Sequence, residues 1–290
     1  MKYYLNTRGG VLDYRFLGDS PSESWWREYD PFTKFESPTL IVRSDGQKVD
    51  FYLSGIPSVR RDSSQRVIRY TLVAQGQVGE ETAELLSLIG VWLDDHGAAD
   101  RAQRVQEAFD QVFPQSEVEA LLSAVPAAGV EERVKEVLTA VSGPLPEIGE
   151  PGKSGDNISQ GWWGSIKEPM SRSHFLVCLS GILQGNINGA VAFFNLIDNK
   201  HEAEQALQAG VIWTLVNGTA KVTSPERLYR STRSSVVAPN SGNEQSEKKK
   251  PTNLLAALFI LLVILAMIGL IHRDKKPAPP PQMGQNLRPS

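Results

Sequence analysis

A group of charged side chains that could do chemistry lies in residues 55–74, which read GIPSVRRDSSQRVIRYTLVA. Four arginines and one aspartate stand there: Arg60, Arg61, Asp62, Arg66 and Arg69. Guanidinium groups bind phosphates and carboxylates because their N–H donors match pairs of oxygen atoms. The stretch therefore predicts one of two structures. One is an arginine cluster that recognises a phosphate or an acidic protein surface, and the other is an internal aspartate–arginine pair with solvated neighbours.

The order of these residues resembles a known family. Arg60-Arg61-Asp62, followed by Arg66-Val67-Ile68-Arg69-Tyr70, is similar to N-terminal domains of bacterial GTPase-associated adaptor proteins from conflict and defence systems. The similarity is confined to this stretch, and Gln65 stands where the family has a glycine. The resemblance implies an adaptor, a protein that holds other proteins together.

Two pairs of adjacent tryptophans are the other candidates for partner binding. Trp25-Trp26 follows Ser-Glu-Ser, and Trp162-Trp163 ends a stretch rich in Pro and Gly that predicts a loop. Tryptophans in loops most often fix the loop onto their own domain, because they bury a large apolar surface. The alternative is that these side chains form a hot spot for a partner or face a membrane.

Residue types with catalytic potential occur in the sequence, but no arrangement of them predicts an enzyme. His174 precedes Cys178 by one helical turn, but a cysteine in the apolar run FLVCLSGIL is typical of a buried side chain. Gly152-Lys153-Ser154 ends like a phosphate-binding loop, yet Glu147 occupies the position that needs glycine. We therefore expect no catalytic residue, no cofactor and no metal site.

Residues 253–272 are expected to form a single transmembrane helix. The 18 residues from 254 to 271 are all apolar or glycine. A helix of that length spans about 27 Å, close to the hydrocarbon core of a bilayer, so a lipid bilayer is an expected partner of residues 253–272. One apolar stripe on this helix has the spacing of helix–helix contacts: Leu254, Leu258, Leu261, Leu265 and Ile268.

Charge is distributed unevenly along the chain. The formal net charge is −3, but residues 248–290 contain seven Lys or Arg and one Asp, so residues 1–247 carry −9. This acidic part argues against nucleic acid as a partner, because phosphate contacts need clustered cations. An N-terminus without an apolar leader and a single cysteine, Cys178, indicate a single-pass protein of the cell inner membrane with residues 1–230 in the cytoplasm.

The apolar pattern predicts an α+β protein with a β-rich N-terminal module, a helical middle and a mostly α second module. Residues 39–43 and 48–53 flank Ser44-Asp45-Gly46-Gln47, which is typical of a hairpin turn. A helical stripe of apolar side chains follows: Leu85, Leu88, Ile89, Trp92 and Leu93. Residues 173–197 fit either a hairpin or two buried helices, and their leucines and alanines favour helices.

The expected domain boundaries follow from these patterns. The segments are a β-rich module (1–78), an acidic helical module packed on it (79–143), a linker or long loop (144–170), a mostly helical module (171–230), a disordered tether (231–252), the transmembrane helix (253–272) and a short Pro-rich tail (273–290). Between residues 79 and 150 there are 4 basic and 15 acidic residues. These acids indicate either a solvated face or a docking surface for a basic partner.

These features favour a membrane-anchored cytoplasmic adaptor or scaffold that holds an unidentified protein partner at the membrane, in a bacterial multi-protein system. The contrasting hypothesis is a membrane effector, in which the transmembrane helix oligomerises and perturbs the bilayer. The two hypotheses differ in one requirement. An adaptor needs an anchor of sufficient length, whereas an effector depends on the sequence of its helix.

The expected orientation can be tested by protease protection in spheroplasts. Protease added outside should reach a tag placed after Ser290 but not residues 1–230, because no export signal precedes the hydrophobic segment. Detergent-opened spheroplasts are the control, in which both parts are cut. Cleavage within residues 1–230 in closed spheroplasts would reverse the proposed orientation.

Overall fold

The computed structural model describes residues 1–34, 37–97, 103–124, 129–141, 160–217 and 222–230. The expected tether, transmembrane helix and tail, residues 231–290, lie outside the described residues. Most of the expected linker, residues 144–159, also lies outside them. None of the helices within the described ranges has both the length and the apolar character needed to cross a bilayer.

The strands in the described part of the chain form one nine-stranded sheet. They are β1 (Lys2–Thr7), β2 (Arg15–Phe16), β3 (Thr39–Ser44), β4 (Lys48–Arg61), β5 (Val67–Gln77), β6 (Gln160–Ser165), β7 (Gly189–Phe194), β8 (Val211–Val216) and β9 (Glu226–Tyr229). Their order along the sheet is β2-β1-β5-β4-β3-β7-β8-β6-β9. β8 is parallel to its neighbours β7 and β6, and the other pairs are antiparallel.

Helices pack on both faces of this sheet, and the α+β prediction is confirmed. They are a 3₁₀ helix (Trp25–Phe32), α1 (Thr82–Gly97), α2 (Arg104–Val112), α3 (Gln115–Ser123), α4 (Val130–Val141), α5 (Pro169–Leu183) and α6 (Lys200–Gln208). The helical stripe predicted on α1 is correct, since Leu85, Leu88 and Trp92 are all buried. A stripe of this kind forms a helix because one continuous face can leave water.

The predicted hairpin between β3 and β4 is also correct. Six residue pairs register the two strands, from Thr39 with Ser54 to Ser44 with Val49. Gly46 in the turn has a φ of +92°, a conformation that glycine adopts without strain. The turn is therefore set by local chemistry that the sequence displays.

Side chains of the sheet alternate between two hydrophobic cores, one on each face. On β4, Phe51 and Leu53 belong to the larger core, whereas Tyr52 packs against the smaller core on the other face. Helices α1 to α5 contribute to the larger core, and the 3₁₀ helix and α6 contribute to the smaller one. The sheet is thus covered on both faces, by different amounts of helix.

Two crossover helices join the parallel strands. α5 connects β6 to β7 in the larger core, and α6 connects β7 to β8 in the smaller core. The two connections run in opposite directions across the sheet, because β8 lies between β7 and β6. Crossover connections between parallel strands are right-handed. Two right-handed connections that run in opposite directions must place their helices on opposite faces of the sheet, which is the arrangement observed.

Residues 173–197 form one helix and one strand, so neither the hairpin nor the pair of helices describes them. The helix is α5 and the strand is β7, which lies inside the sheet between β3 and β8. Five of the six residues of β7 are buried. A strand covered on both faces is apolar at every position, so it has no alternation to distinguish it from a buried helix.

The second half of the chain contains more strand than the mostly helical module expected there. β6 lies within the segment expected to be a linker, so Trp162 and Trp163 belong to a strand. Its sequence, QGWWGS, includes two glycines and has low strand propensity. β6 is a strand because β8 and β9 pair with it on either side, and such long-range pairing is not visible in local sequence.

A bulge in β4 interrupts its pairing with β5. The register shifts between Leu53 and Ile56, and Gly55 within the bulge has a φ of +73°. A Cβ atom on Gly55 would lie 2.5 Å from the backbone nitrogen of Pro38. Glycine is therefore required both by the backbone conformation and by the close approach of a neighbouring chain segment.

Alanine substitutions at Gly55 and Gly79 should separate these two requirements. Gly79 also has a positive φ, +85°, but a Cβ atom there would meet nothing within 4 Å. Gly79→Ala should lower the free energy of unfolding by about 1–2 kcal/mol, the usual penalty of the left-handed conformation. Gly55→Ala should lower it by at least about twice as much, because backbone must also move. Urea denaturation measures both, and equal losses would show that the contact with Pro38 is absent.

Candidate functional site

Helical cover is incomplete on the face of the sheet that bears the smaller core. There α6 packs on β8, β6 and β9, and rings of the 3₁₀ helix pack on Phe194 of β7. Apart from ring contacts with Tyr52, the described helices on this face leave β1, β5 and β4 uncovered. On this half of the sheet Asn6 and Thr71 are partly exposed, whereas Tyr4 and Val73 are buried.

A cavity of about 520 Å³ lies over the uncovered half. Its floor comes from three adjacent strands, with Asn6 on β1, Thr71 on β5 and Ser54 on β4. Its walls come from the 3₁₀ helix and from the segment around Tyr14. The volume lies within the range of about 300–1,000 Å³ that is typical of small-molecule sites.

Aromatic rings form one wall of the cavity. Trp26 stacks on Tyr52 with ring centroids 5.3 Å apart and an angle of 19° between the planes. Phe16 lies 6.3 Å from Trp26 and also lines the cavity. Trp25 is buried beneath this wall, with the Arg43 guanidinium 4.6 Å from its ring. The first tryptophan pair is thus divided between the core and the cavity.

The cavity carries an excess of positive charge. Arg27, Lys34 and Arg69 line it, against one carboxylate, Asp30. The side chains of Arg27 and Lys34 are exposed, and within the part of the chain that the structure describes they make no hydrogen bond or ion pair. Their charges are available to an anion from outside the molecule.

Arg69 is held at the bulge in β4. Its Nη1 donates a hydrogen bond of 3.1 Å to the backbone oxygen of Gly55, which also lines the cavity. Its Nε is shielded from solvent and has no hydrogen-bond partner among the described residues. Its Nη2 is not shielded and makes no hydrogen bond within the described ranges, so it is the N–H group that an acceptor in the cavity can reach.

Arg60 lies inside the fold and does not line the cavity. It is 6% exposed, and its guanidinium donates to the backbone oxygen of Arg8 at 2.9 Å and to Oγ1 of Thr7 at 2.8 Å. It also lies 4.7 Å from the centre of the Tyr70 ring. Arg60 is therefore neither a solvated side chain nor the partner of Asp62, so neither of the two structures expected from the sequence describes it.

Asp62 is also part of the interior, at the end of the β4–β5 hairpin. It is 3% exposed and accepts hydrogen bonds from Arg66 at 2.8 Å and from Arg8 at 3.2 Å. The bond from the backbone N–H of Arg66 is the main reason that the pKa of Asp62 lies below its usual value. Arg61 and Arg66 are exposed at this turn, so the structure does not assemble the five residues into one surface.

The second tryptophan pair lies far from the cavity in the sheet. β3, β7 and β8 stand between β4, which lines the cavity, and β6, which carries the pair. Trp163 is buried in the smaller core and its Nε1 donates to Glu226 at 3.3 Å. Trp162 is half-buried, with the Arg227 guanidinium 5.1 Å from its ring. Trp162 is the more accessible of the two.

Cys178 and Asp95 are residues with catalytic potential whose surroundings the structure describes. Burial raises the pKa of Cys178 to about 11, so the side chain is a neutral thiol, and His174 on the same helix is exposed. Asp95 accepts a hydrogen bond of 2.9 Å from Arg104. Within the described ranges, no three His, Cys, Asp or Glu side chains are placed to hold a metal ion.

Comparison with known proteins gave no match: no protein-family model, no curated protein and no solved structure matches the chain.

Sequence reasoning selected two of the cavity residues, Trp26 and Arg69, but not the cavity itself. Asn6, Thr71 and Ser54 are ordinary strand residues, and only the sheet order places them side by side. The signal that could have found the site is Gly55-Ile56-Pro57 in the middle of a strand pattern. Glycine and proline there indicate a bulge, and bulges occur often beside functional sites.

Methionine substitutions at Arg60 and Arg61 should distinguish the buried arginine from the exposed one. Arg60→Met keeps the aliphatic stem but removes the hydrogen bonds to Thr7 and Arg8, so the free energy of unfolding should fall by about 2–4 kcal/mol. Arg61→Met, the neighbouring control, should change it by less than about 0.5 kcal/mol. Urea denaturation measures both. If Arg60→Met left the free energy of unfolding unchanged, the side chain would not be packed as described.

Proposed function

We propose that this protein is a membrane-anchored adaptor that holds a basic protein partner on the surface of helices α1 to α4. These four helices, here called the acidic helical layer, pack on the face of the sheet that bears the larger core. The excess of acidic residues between positions 79 and 150, 15 against 4 basic ones, supports this proposal. The single observation that carries it is the pair of exposed carboxylates on α4, Glu132 and Glu136, which have no hydrogen bond or ion pair within the described residues.

Part of the acidic charge in this layer is compensated within the fold. Glu117 pairs with Arg133 at 2.8 Å, and Asp95 pairs with Arg104 at 2.9 Å. Four further carboxylates are exposed and, within the described residues, have no hydrogen bond or ion pair: Glu84, Glu107, Glu132 and Glu136. They belong to α1, α2 and α4, which contact one another.

Glu132 and Glu136 form a like-charged pair of exposed carboxylates on α4. They lie four residues apart on α4, where like charges destabilise a helix by about 0.2–0.5 kcal/mol. Glu132 lies in the first turn of α4, where the helix N-terminus favours a carboxylate, whereas Glu136 lies beyond that turn, and neither side chain has an ion pair among the described residues. A basic partner would explain both, because exposed charges of one sign steer encounter and set specificity.

The proposed anchor is residues 253–272. The uninterrupted apolar run at 254–271 supports it, and its length matches a bilayer. The proposed tether, residues 231–252, contains 22 residues. A flexible coil of that length spans about 25 Å, enough to let the folded part reach a partner bound beside the membrane.

Glutamine substitutions at Glu132 and Glu136 should separate partner capture from stability. The double variant should capture less of the protein that co-purifies with the wild type from membranes, with a slower and less salt-sensitive association. Its thermal midpoint should change little, because the removal of like-charge repulsion is opposed by the loss of the favourable interaction between Glu132 and the helix N-terminus. Co-purification, association kinetics and thermal denaturation are the measurements.

The matched control is Glu23→Gln with Glu204→Gln, which removes the same charge away from the acidic helical layer. Glu23 precedes the 3₁₀ helix, and Glu204 lies on α6, on the opposite face of the sheet. This control should retain full capture. Equal loss in the two double variants would show that capture depends on net charge alone and would contradict a docking surface on α4.

An exchange of the membrane segment distinguishes the adaptor from a membrane effector. Residues 253–272 are replaced by an unrelated apolar segment of the same length, and partner capture at the membrane is measured in cells. The adaptor should still capture its partner, because the segment serves only as an anchor. Loss of capture in a stably expressed and correctly localised protein would exclude the adaptor and favour an effector.

A further inference from the structure

We propose that the cavity over β1, β5 and β4 binds a nucleotide, a ligand that joins a phosphate group to a planar heteroaromatic ring. The proposal goes beyond the adaptor function and does not depend on it. The cavity and the acidic helical layer lie on opposite faces of the sheet, so each surface can be occupied or altered without the other.

The basic side chains of the cavity account for the phosphate. Arg69 uses Nη1 on the carbonyl of Gly55, whereas its Nη2 is open to solvent and has no hydrogen-bond partner among the described residues. Arg27 and Lys34 bring two more positive charges to the same cavity. Guanidinium donors and a mobile ammonium group are the usual protein ligands of phosphate oxygens.

The aromatic wall accounts for the planar ring. Trp26 and Tyr52 form a stacked pair at the cavity, and Phe16 lies against the same indole. A heteroaromatic base stacks on such a surface, and stacking on protein aromatics contributes about 10-fold or more to the affinity for each base. Asp30, the one carboxylate of the cavity, offers an acceptor for ribose hydroxyl or base amino groups.

The position of the cavity argues against an extended peptide as its occupant. Peptides that join a sheet add to a free edge, where backbone N–H and C=O groups are unpaired. β5 lies in the middle of the cavity floor and pairs with β1 on one side and with β4 on the other, so its backbone groups there are already engaged. The cavity therefore offers side chains, a concave floor and charge, which are the features of a small-molecule site.

The test is calorimetric titration of the full-length protein in detergent. The probes are the four ribonucleoside 5′-monophosphates, with adenosine and inorganic phosphate as partial ligands. At least one monophosphate should bind with a stoichiometry of one. Adenosine and phosphate should each bind at least about 10-fold more weakly than the best monophosphate, because each lacks one of the two groups that the cavity recognises.

Two variants connect binding to the cavity. Arg69→Gln should weaken binding by about 10- to 100-fold, the usual effect of losing charge-assisted hydrogen bonds. Arg27→Gln with Lys34→Gln should weaken it by about 10-fold at low salt and less at high salt. Since Arg27 and Lys34 are exposed, this second variant keeps the fold intact even if Arg69→Gln disturbs it. Arg61→Gln, an exposed arginine outside the cavity, should bind like the wild type.

Four results would overturn the proposal. The first is that no monophosphate binds, and the second is that inorganic phosphate binds as tightly as the best monophosphate. The third is that adenosine binds as tightly as the best monophosphate, with an affinity that Arg69→Gln leaves unchanged. The last is an equal loss in Arg61→Gln and in the cavity variants, which would show nonspecific attraction to positive charge.

Discussion

The antiparallel pairing of β3 with β7 connects the two halves of the molecule. These strands come from the first and second halves of the chain, and six residue pairs register them, from Thr39 with Phe194 to Ser44 with Gly189. Closing so long a loop costs conformational entropy, which the burial of apolar side chains must offset. This burial is provided by alternate residues of both strands, which enter the larger core on one face of the sheet and the smaller core on the other.

The candidate site depends on this pairing. The rings of Tyr29 and Phe32 in the 3₁₀ helix pack on Phe194 of β7, so the helix is held where the two halves of the sheet meet. From that position it directs Trp26 toward Tyr52 and carries Arg27 along the rim of the cavity. The floor belongs to the first half of the chain, whereas the wall is supported from both halves, by Arg43 of β3, which pairs with Glu28 at 2.9 Å, and by Phe194 of β7. The cavity is therefore a property of the joined sheet.

The sequence predicted the elements whose signals are local. The β3–β4 hairpin follows from Asp45-Gly46, and α1 follows from a stripe that includes Leu85 and Trp92. What it could not predict is set by distant partners. β7 has no alternation because it is covered on both faces, and the arginine cluster divides because Thr7, on β1, accepts from Arg60. Burial of a charged side chain depends on such a partner, and its sequence position gives no sign of it.

Native-state hydrogen exchange of the full-length protein tests most directly whether β3 and β7 join the two halves into one cooperative sheet. Amide protons of β3 and β7 should exchange only through global unfolding, with the same free energy and the same denaturant dependence as those of β4 and β5. If amide protons of β7, β8 and β6 exchanged through an opening of lower free energy while those of β4 and β5 stayed protected, the result would contradict this account. It would show that the second half opens separately and that the wall of the cavity is not held by the sheet.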